Sequence, residues 1–371
     1  MKQLALDFSE NQWKQWLIDH GAKPFASRQI MQWLYKHYTF DPALFSNLSH
    51  KIRQLLADEF DWSLPEVDTL LASNDGSYKF LLKTHDHYII ESVLMPTEKR
   101  TTLCISSQVG CKMGCTFCQT GKMGFSRNLS MGEILSQLII ANRHLKDVGL
   151  DREVTNIVFM GMGEPLDNYD QVIEACNVMI DNFYFNLARR RVTVSTSGLV
   201  PEILKLAEDS PVSLALSLHT TNDEERSSIM PVNRKYPLAV LKEALLQYQE
   251  KSGNDITFEY VMIDGKNDSI QHAKQLIKYL DGLRAKLNLI PLNHFPGSDM
   301  HSSSAERLKA FQAYLHQRSY PAPIRYSKAQ DISGACGQLA AKRQTEINLP
   351  PQLVAKSRRQ ERRQQYKLAL S

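Results

Sequence analysis

Six short β-runs separated by amphipathic stretches restrict this chain's fold more than any other feature. They are TTLCIS (101–106), VTNIVFM (154–160), RVTVST (191–196), VSLALSLH (212–219), DITFEYVMI (255–263) and LNLIP (287–291). Helical periodicity fills 131–145, 169–180, 201–208, 237–250 and 269–280, and a last helical stretch, 306–318, follows the sixth run. Ser130 and Glu133 have the spacing of a capping box. Parallel neighbours need a crossover, usually a helix, so the alternation predicts βαβ units. The runs are apolar on both faces, as strands covered on both sides require. The expected fold is α/β: an open parallel sheet or a partial (βα)6 barrel. Either arrangement places a ligand site at the carboxyl ends of the strands.

Residues 1–95 read as a separate N-terminal accessory domain, helices first and then a small sheet. Trp13, Trp16 and Leu17 start an amphipathic helix that ends near Gly21. Ser27 is a candidate cap for a second helix, with Ile30, Met31, Leu34 and Tyr38 inward. A third covers 51–60. Two β-runs, 67–73 and 77–84, flank Asp75-Gly76, a hairpin signal. A third run, 87–95, completes the small sheet. Residues 96–342 form the expected α/β core, and 343–371 a basic C-terminal extension.

The formal net charge is +4, but residues 337–371 hold eight Lys/Arg and two Glu, which leaves −2 for the rest. The run KSRRQERRQQYK (356–367) is either a solvated tail or an electrostatic handle for nucleic acid. No apolar stretch approaches the roughly 18 residues of a membrane helix. The N-terminus turns acidic and amphipathic within a few residues, unlike a secretory signal. A soluble, cytoplasmic protein without membrane contact is expected.

Three of the six cysteines, Cys111, Cys115 and Cys118, fall in CKMGCTFC, just after the first of the six runs. A reducing cytosol disfavours a permanent disulfide framework. A zinc site wants four ligands, and no second pair of knuckle residues follows. Three thiols in a Gly-containing loop also make a poor core. Three thiolates with one open position suit a [4Fe–4S] cluster whose fourth iron binds an external ligand.

CxxxCxΦC, with Phe117 at Φ, after the first strand of a (βα)6 pattern resembles the radical S-adenosylmethionine (SAM) enzymes. Seven ordered blocks narrow the resemblance to the RlmN/Cfr family of radical-SAM methyltransferases, which act on an adenosine of 23S ribosomal RNA. They are 104–130, FMGMGEPLDNYD (159–170), VTVSTSGLVP (192–201), 214–237, FEYVMIDGKND (258–268), NLIPLNHFPG (288–297) and ACGQLA (335–340). The likeness spans roughly residues 25 to 340. GMGEP and the SSQVG lead-in resemble the RlmN branch, which methylates C2; Cfr-type methylation of C8 is the alternative.

The resemblance implies the site. Cys111, Cys115 and Cys118 would be the cluster ligands. Gly163 and Glu164 would meet the SAM amino group, and Ser195, Ser217, Leu218, His219 and Asn293 would contact SAM from the barrel mouth. Cys336, between Gly334 and Gly337, matches the methyl-carrying cysteine, Cys104 the resolving cysteine and Glu91 the base. Cys176 sits on a helix as core.

The implied chemistry answers a difficulty: adenine C2 is electron-poor and cannot attack the SAM methyl group directly. A thiolate can, so Cys336 takes a methyl from one SAM. A second SAM, cleaved to a 5′-deoxyadenosyl radical, activates that methyl for addition to C2. Glu91 removes the C2 proton, and Cys104 releases the product by forming a disulfide with Cys336. The implied partners are 23S rRNA, some tRNAs at the adenosine beside the anticodon, and an electron donor such as flavodoxin or ferredoxin. A monomer is expected. Lys23, Arg28, Lys36, His37 and the basic tail are the expected RNA contacts.

Overall fold

The computed structural model describes residues 2–339; the basic run 356–367 lies outside the described residues. One nine-stranded sheet organises the chain, and its strands lie in chain order from one edge to the other. They are β1 (Glu66–Ala72), β2 (Tyr78–Lys83), β3 (Ile89–Pro96), β4 (Thr101–Cys104), β5 (Asn156–Phe159), β6 (Val192–Thr196), β7 (Ser213–Ser217), β8 (Ile256–Met262) and β9 (Ala285–Pro291). β1 to β4 pair antiparallel, whereas β4 to β9 pair parallel throughout. The parallel half is the expected partial (βα)6 barrel.

Helices α1 (Glu10–Asp19), α2 (Ala26–Tyr35) and α3 (His50–Glu59) precede the sheet. The crossovers are α4 (Met131–Asp147), α5 (Tyr169–Ile180), α6 (Val200–Asp209), α7 (Leu238–Ser252) and α8 (Ile270–Leu280), and α9 (Ala305–His316) follows β9. Both halves of the Ser130–Glu133 capping box form at the start of α4. In β7, Leu214, Ala215 and Leu216 have no exposed surface, the double-sided burial expected of a central parallel strand. Cys176 is fully buried on α5, as its place in an amphipathic pattern indicates. Among the described residues, no helix is long and apolar enough to cross a membrane.

Two local expectations need correction. The three early β-runs do not close a sheet of their own. A turn in which Thr97 N–H donates to the Arg100 carbonyl at 2.8 Å returns the chain, and β3 pairs with β4. The early strands thus cover the β4 edge that the parallel sheet would leave open. Ser27 is not a cap. α2 begins at Ala26, and Ser27 is buried in its first turn. The carbonyls of Lys23 and Pro24 accept the N–H groups of Ala26 and Ser27, so no side-chain cap is needed there.

Candidate active site

The carboxyl ends of the parallel strands open onto a cleft of about 960 Å³, counted out to its mouth. Cys111, Cys115 and Cys118 share its wall with Gly163, Glu164, Ser195, Ser217, His219, Asn293 and Cys336. The cysteine loop is closed at its base by a short antiparallel pair, Gln108–Gly110 with Phe125–Asn128. Cys111 N–H donates to the Gly124 carbonyl at 2.8 Å, and Thr116 N–H to the Ile229 carbonyl at 3.0 Å. Gly110 has φ of 76°, and a Cβ there would stand 1.9 Å from the Gly124 oxygen, so only glycine fits.

Burial pushes the Cys111 thiol up to about 12. It also holds Cys115 well above the usual thiol range, with Cys118 and Cys111 adding to the effect. Among the described residues, no three His, Cys, Asp or Glu side chains converge as a single-ion site would require. A four-iron cluster offers a different iron to each thiolate, so its ligands stand around it rather than on one point, and soft thiolates suit iron–sulfur chemistry.

The GMGEP turn after β5 is held by Gln108, which sequence reasoning missed. Glu164 N–H donates to Gln108 Oε1 at 2.9 Å, and a Cβ on Gly163 would meet the Gln108 Cβ at 2.5 Å. The Glu164 carboxylate accepts N–H bonds from Leu166 (3.3 Å) and Ser197 (2.8 Å), bracing β5 against β6. Burial raises its pKa, and the hydrogen bonds it accepts oppose that rise. Ser195 donates its hydroxyl to the Phe159 carbonyl at 2.6 Å.

His219 sits at φ of 64°, its ring edge-on to Phe117 at 4.7 Å. Its Nδ1 accepts the Val261 N–H at 3.1 Å, so the ring proton resides on Nε2. Burial and Arg226 hold the imidazole neutral, with its pKa lowered to about 3.

Arg226 is a second residue missed from the sequence. Fully buried, it donates to the carbonyls of Leu218, Ser217 and Ser197 and to Asn233 Oδ1, at 2.7 to 3.1 Å. It staples the ends of β6 and β7 together. Glu259 is the third: it lines the cleft from β8, and burial pushes its carboxyl up to about 6. A carboxylate at the centre of the run DITFEYVMI, flanked by apolar residues, was the available signal. Leu218 is placed otherwise than expected. Its side chain lies in the main core, and only its backbone faces the site's framework.

Cys336 lines the cleft and also a second cavity beside it. Asn293 fastens its loop to the end of β9, donating to Ser327 Oγ at 2.8 Å and to the Cys336 carbonyl at 3.1 Å. The Cys336 side chain is open to the cavities yet lies deep in the fold. Desolvation there, with Glu259 and Cys118 nearby, pushes its thiol up to about 11.

Cys104 lines the second cavity and packs with Ala329 and Leu339 of the Cys336 loop. Burial and the neighbouring Cys336 push its thiol up. Arg100, Arg325 and Lys328 line that cavity with the exposed Tyr326, and among the described residues no carboxylate lines it. Glu91 lines neither cavity: it is buried on β3, 3.5 Å from Lys79 Nζ.

Residues 105–277 match the radical SAM superfamily, and residues 5–61 match the ribosomal RNA large subunit methyltransferase N-terminal domain. A dual-specificity RNA methyltransferase RlmN from Ruthia magnifica subsp. Calyptogena magnifica is 43% identical over 92% of this chain and 96% of its own length. The chain belongs to the RlmN family of radical-SAM RNA methyltransferases. The crystal structure of a radical SAM methyltransferase from Sphaerobacter thermophilus has a TM-score of 0.86 at 41% identity. That match covers 92% of this chain and all of the other. The family resemblance read from the sequence blocks is therefore borne out, as is the radical-SAM α/β fold.

Proposed function

We propose that this RlmN-family enzyme methylates C2 of an adenosine in 23S rRNA, at the peptidyl-transferase centre, and of the adenosine beside the anticodon in some tRNAs. One observation carries the reading: Cys336 stands in the partition between two cavities. The first is walled by the three motif cysteines and the strand ends; the second is lined by cations and Cys104. A methyl carrier needs access to both a donor and an acceptor, and RNA supplies the negative charge that three cations favour.

In this reading Cys111, Cys115 and Cys118 hold one [4Fe–4S] cluster with an open iron. Gly163, Glu164, Ser195, Ser217, the Leu218 backbone, His219 and Asn293 orient SAM. An acidic electron carrier such as flavodoxin or ferredoxin supplies the reducing electron, and the enzyme acts in the cytoplasm as a monomer. When bound, the cluster and SAM supply the radical chemistry that takes a hydrogen atom from the S-methyl group.

The chain's own residues do the rest. Cys336 loses its thiol proton and takes the methyl, and two SAM molecules are used per product. The activated methylene bonds to C2, forming a covalent link from Cys336 sulfur to RNA. Glu91 accepts the C2 proton; that role requires movement of the loop, because Glu91 lines neither cavity. As the C2 proton leaves, the unpaired electron returns to the reducing centre. Cys104 then gives up its thiol proton and bonds to Cys336 sulfur. The electron pair of the broken carbon–sulfur bond stays on the methylene carbon, and that carbon takes up a proton to become the methyl group of the departing base. External thiols restore both cysteines.

Mass spectrometry of 23S rRNA and tRNA from a deletion strain, with and without the gene restored, tests target and carbon together. Loss of 2-methyladenosine from both RNAs is expected. Loss of an 8-methyl group instead would assign the C8 chemistry. In vitro, Cys104→Ala is expected to accumulate a denaturant-resistant protein–RNA adduct that vanishes in Cys104→Ala/Cys336→Ala. Normal turnover by Cys104→Ala would overturn its resolving role.

A further inference from the structure

The loop that carries Cys336 is held by a part of the chain some 250 residues away. Ala329 N–H donates to Asp75 Oδ2 at 2.9 Å. Ser73 Oγ and Asn74 N–H donate to the two oxygens of Asp331, at 2.6 and 3.0 Å. Lys79 Nζ donates to the Ser333 carbonyl at 3.2 Å. All four bonds join the turn and first residues of the β1–β2 hairpin to the segment just before Cys336.

The hairpin does not need them to form. Its turn is already closed by Gly76 N–H to the Ser73 carbonyl at 3.1 Å and Ser73 N–H to the Ser77 carbonyl at 2.8 Å. Asp-Gly is a favoured turn pair by itself. The bonds serve the loop, and the loop has reason to need them. Ala329 and Ser333 lie at φ of 56° and 52°, a region that side-chain-bearing residues adopt only where their surroundings hold them. Gly334 packs so closely that a Cβ there would stand 2.8 Å from the Ala329 Cβ. From the other side, Asn293 fastens the Cys336 carbonyl, and Gln119 N–H, one residue past Cys118, donates to the Gly337 carbonyl at 2.8 Å. The Cys336 peptide is thus set between two opposed anchors, one of them supplied by the hairpin.

We propose that the turn at residues 73–77 is a docking cradle for the Cys336 loop, and that Asp75, Lys79 and Asp331 are positioning residues that hold the methyl-carrying cysteine in the partition between the two cavities. The proposal rests on the reading of Cys336 as the methyl carrier. Asp331 makes a firm anchor, because the Asn74 N–H and the Ser73 hydroxyl hold its carboxyl below the usual carboxylate range and the bonds are therefore charge-assisted. Lys79 links the cradle to Glu91 at 3.5 Å, so undocking the loop also removes a bond from the partner of the proposed base.

The test uses the full-length, cluster-loaded protein. Alkylation of Cys336 by iodoacetamide is followed by peptide mass spectrometry, with the fully buried Cys176 as internal reference. Methyl transfer from labelled SAM to Cys336 is followed in parallel. Asp75→Ala/Asp331→Ala is expected to alkylate at Cys336 about 10-fold faster, with Cys176 unchanged, and to take the methyl about 10-fold more slowly. Asp75→Asn/Asp331→Asn keeps one carbonyl acceptor at each position but loses the charge and the second acceptor that both carboxylates use, so it is expected to fall between the parent and the alanine pair on both measures. Unchanged alkylation in the alanine pair overturns the cradle. Faster alkylation with unchanged methyl transfer overturns the positioning role. Failure of the carrier reading has a different signature: the parent protein itself takes no methyl on Cys336, and the alkylation result still decides whether the turn holds the loop.

Discussion

Two loops face each other across the barrel mouth, and they are held by opposite means. The cysteine loop between Gly110 and Gly124 is fastened by its own neighbours, through a short strand pair at its base and backbone bonds at Cys111 and Cys118. The Cys336 loop starts from a single bridge, Leu289 with Ile324, and meets one backbone donor, Gln119 N–H at the Gly337 carbonyl. Its other anchors are side chains, from Asn293 just past β9 and from the β1–β2 hairpin. A loop that holds a cluster gains from rigidity it can build locally. If Cys336 serves both cavities as proposed, its loop gains from anchors that can let go, because side-chain bonds open more readily than a paired strand.

The sharpest test of the contrast is on the rigid side. Cys111→Ala, Cys115→Ala and Cys118→Ala are each expected to abolish iron retention and SAM cleavage, measured by iron analysis and product chromatography. A full four-iron complement in any single variant would break the assignment. Next in size is Gly110→Ala, where a Cβ strikes the Gly124 oxygen and φ is unfavourable. A loss of about 3 kcal/mol is expected by denaturant titration, with poor iron loading.

On the carrier side the effects are smaller. Glu259 has a folded-state pKa of about 6 against an ordinary 4.5, so its ionisation costs stability. That cost is absent below pH 4.5, grows as pH rises and is complete above pH 6. Glu259→Gln is therefore expected to gain up to about 2 kcal/mol above roughly pH 6 and nothing below about pH 4.5. Smallest is Asn293→Ala, which releases three bonds to the loop, at Ser327, Gln330 and Cys336, and is expected to cost about 1 kcal/mol, with faster alkylation of Cys336 as its signature. A larger effect on iron retention than on Cys336 reactivity would place Asn293 with the rigid loop instead.

Much of the fold was legible because its signals are local. The six β-runs and their helices fall where the apolar periodicity places them, and the Ser130–Glu133 box caps α4 as its spacing indicates. Ser27 misled because a capping residue is recognised by type, whereas the turn at Lys23–Pro24 had already satisfied the N–H groups a cap would serve. Of the site residues, ten line the cleft as the family resemblance implies. Leu218 points into the core, Glu91 lines neither cavity, and Cys104 lines the second cavity with Cys336. Gln108, Arg226 and Glu259 were passed over, since a single polar residue in a strand or a charged helix carries no spacing to read.

The sequence by itself determined the alternation of strand and helix, the clustering of three thiols in one loop and the glycines that let that loop turn. Each depends on residues a few positions apart, where backbone geometry and side-chain period act directly. Only the tertiary structure decided that β3 would seal the edge of β4, that Arg226 would staple β6 to β7, and that Cys336 would stand beside Cys104 with Asp75 and Asp331 holding its loop. Those contacts join residues up to 258 positions apart. They are selected by the packing of the completed sheet and by the polar groups it leaves to be paired, and neither exists until the strands have met.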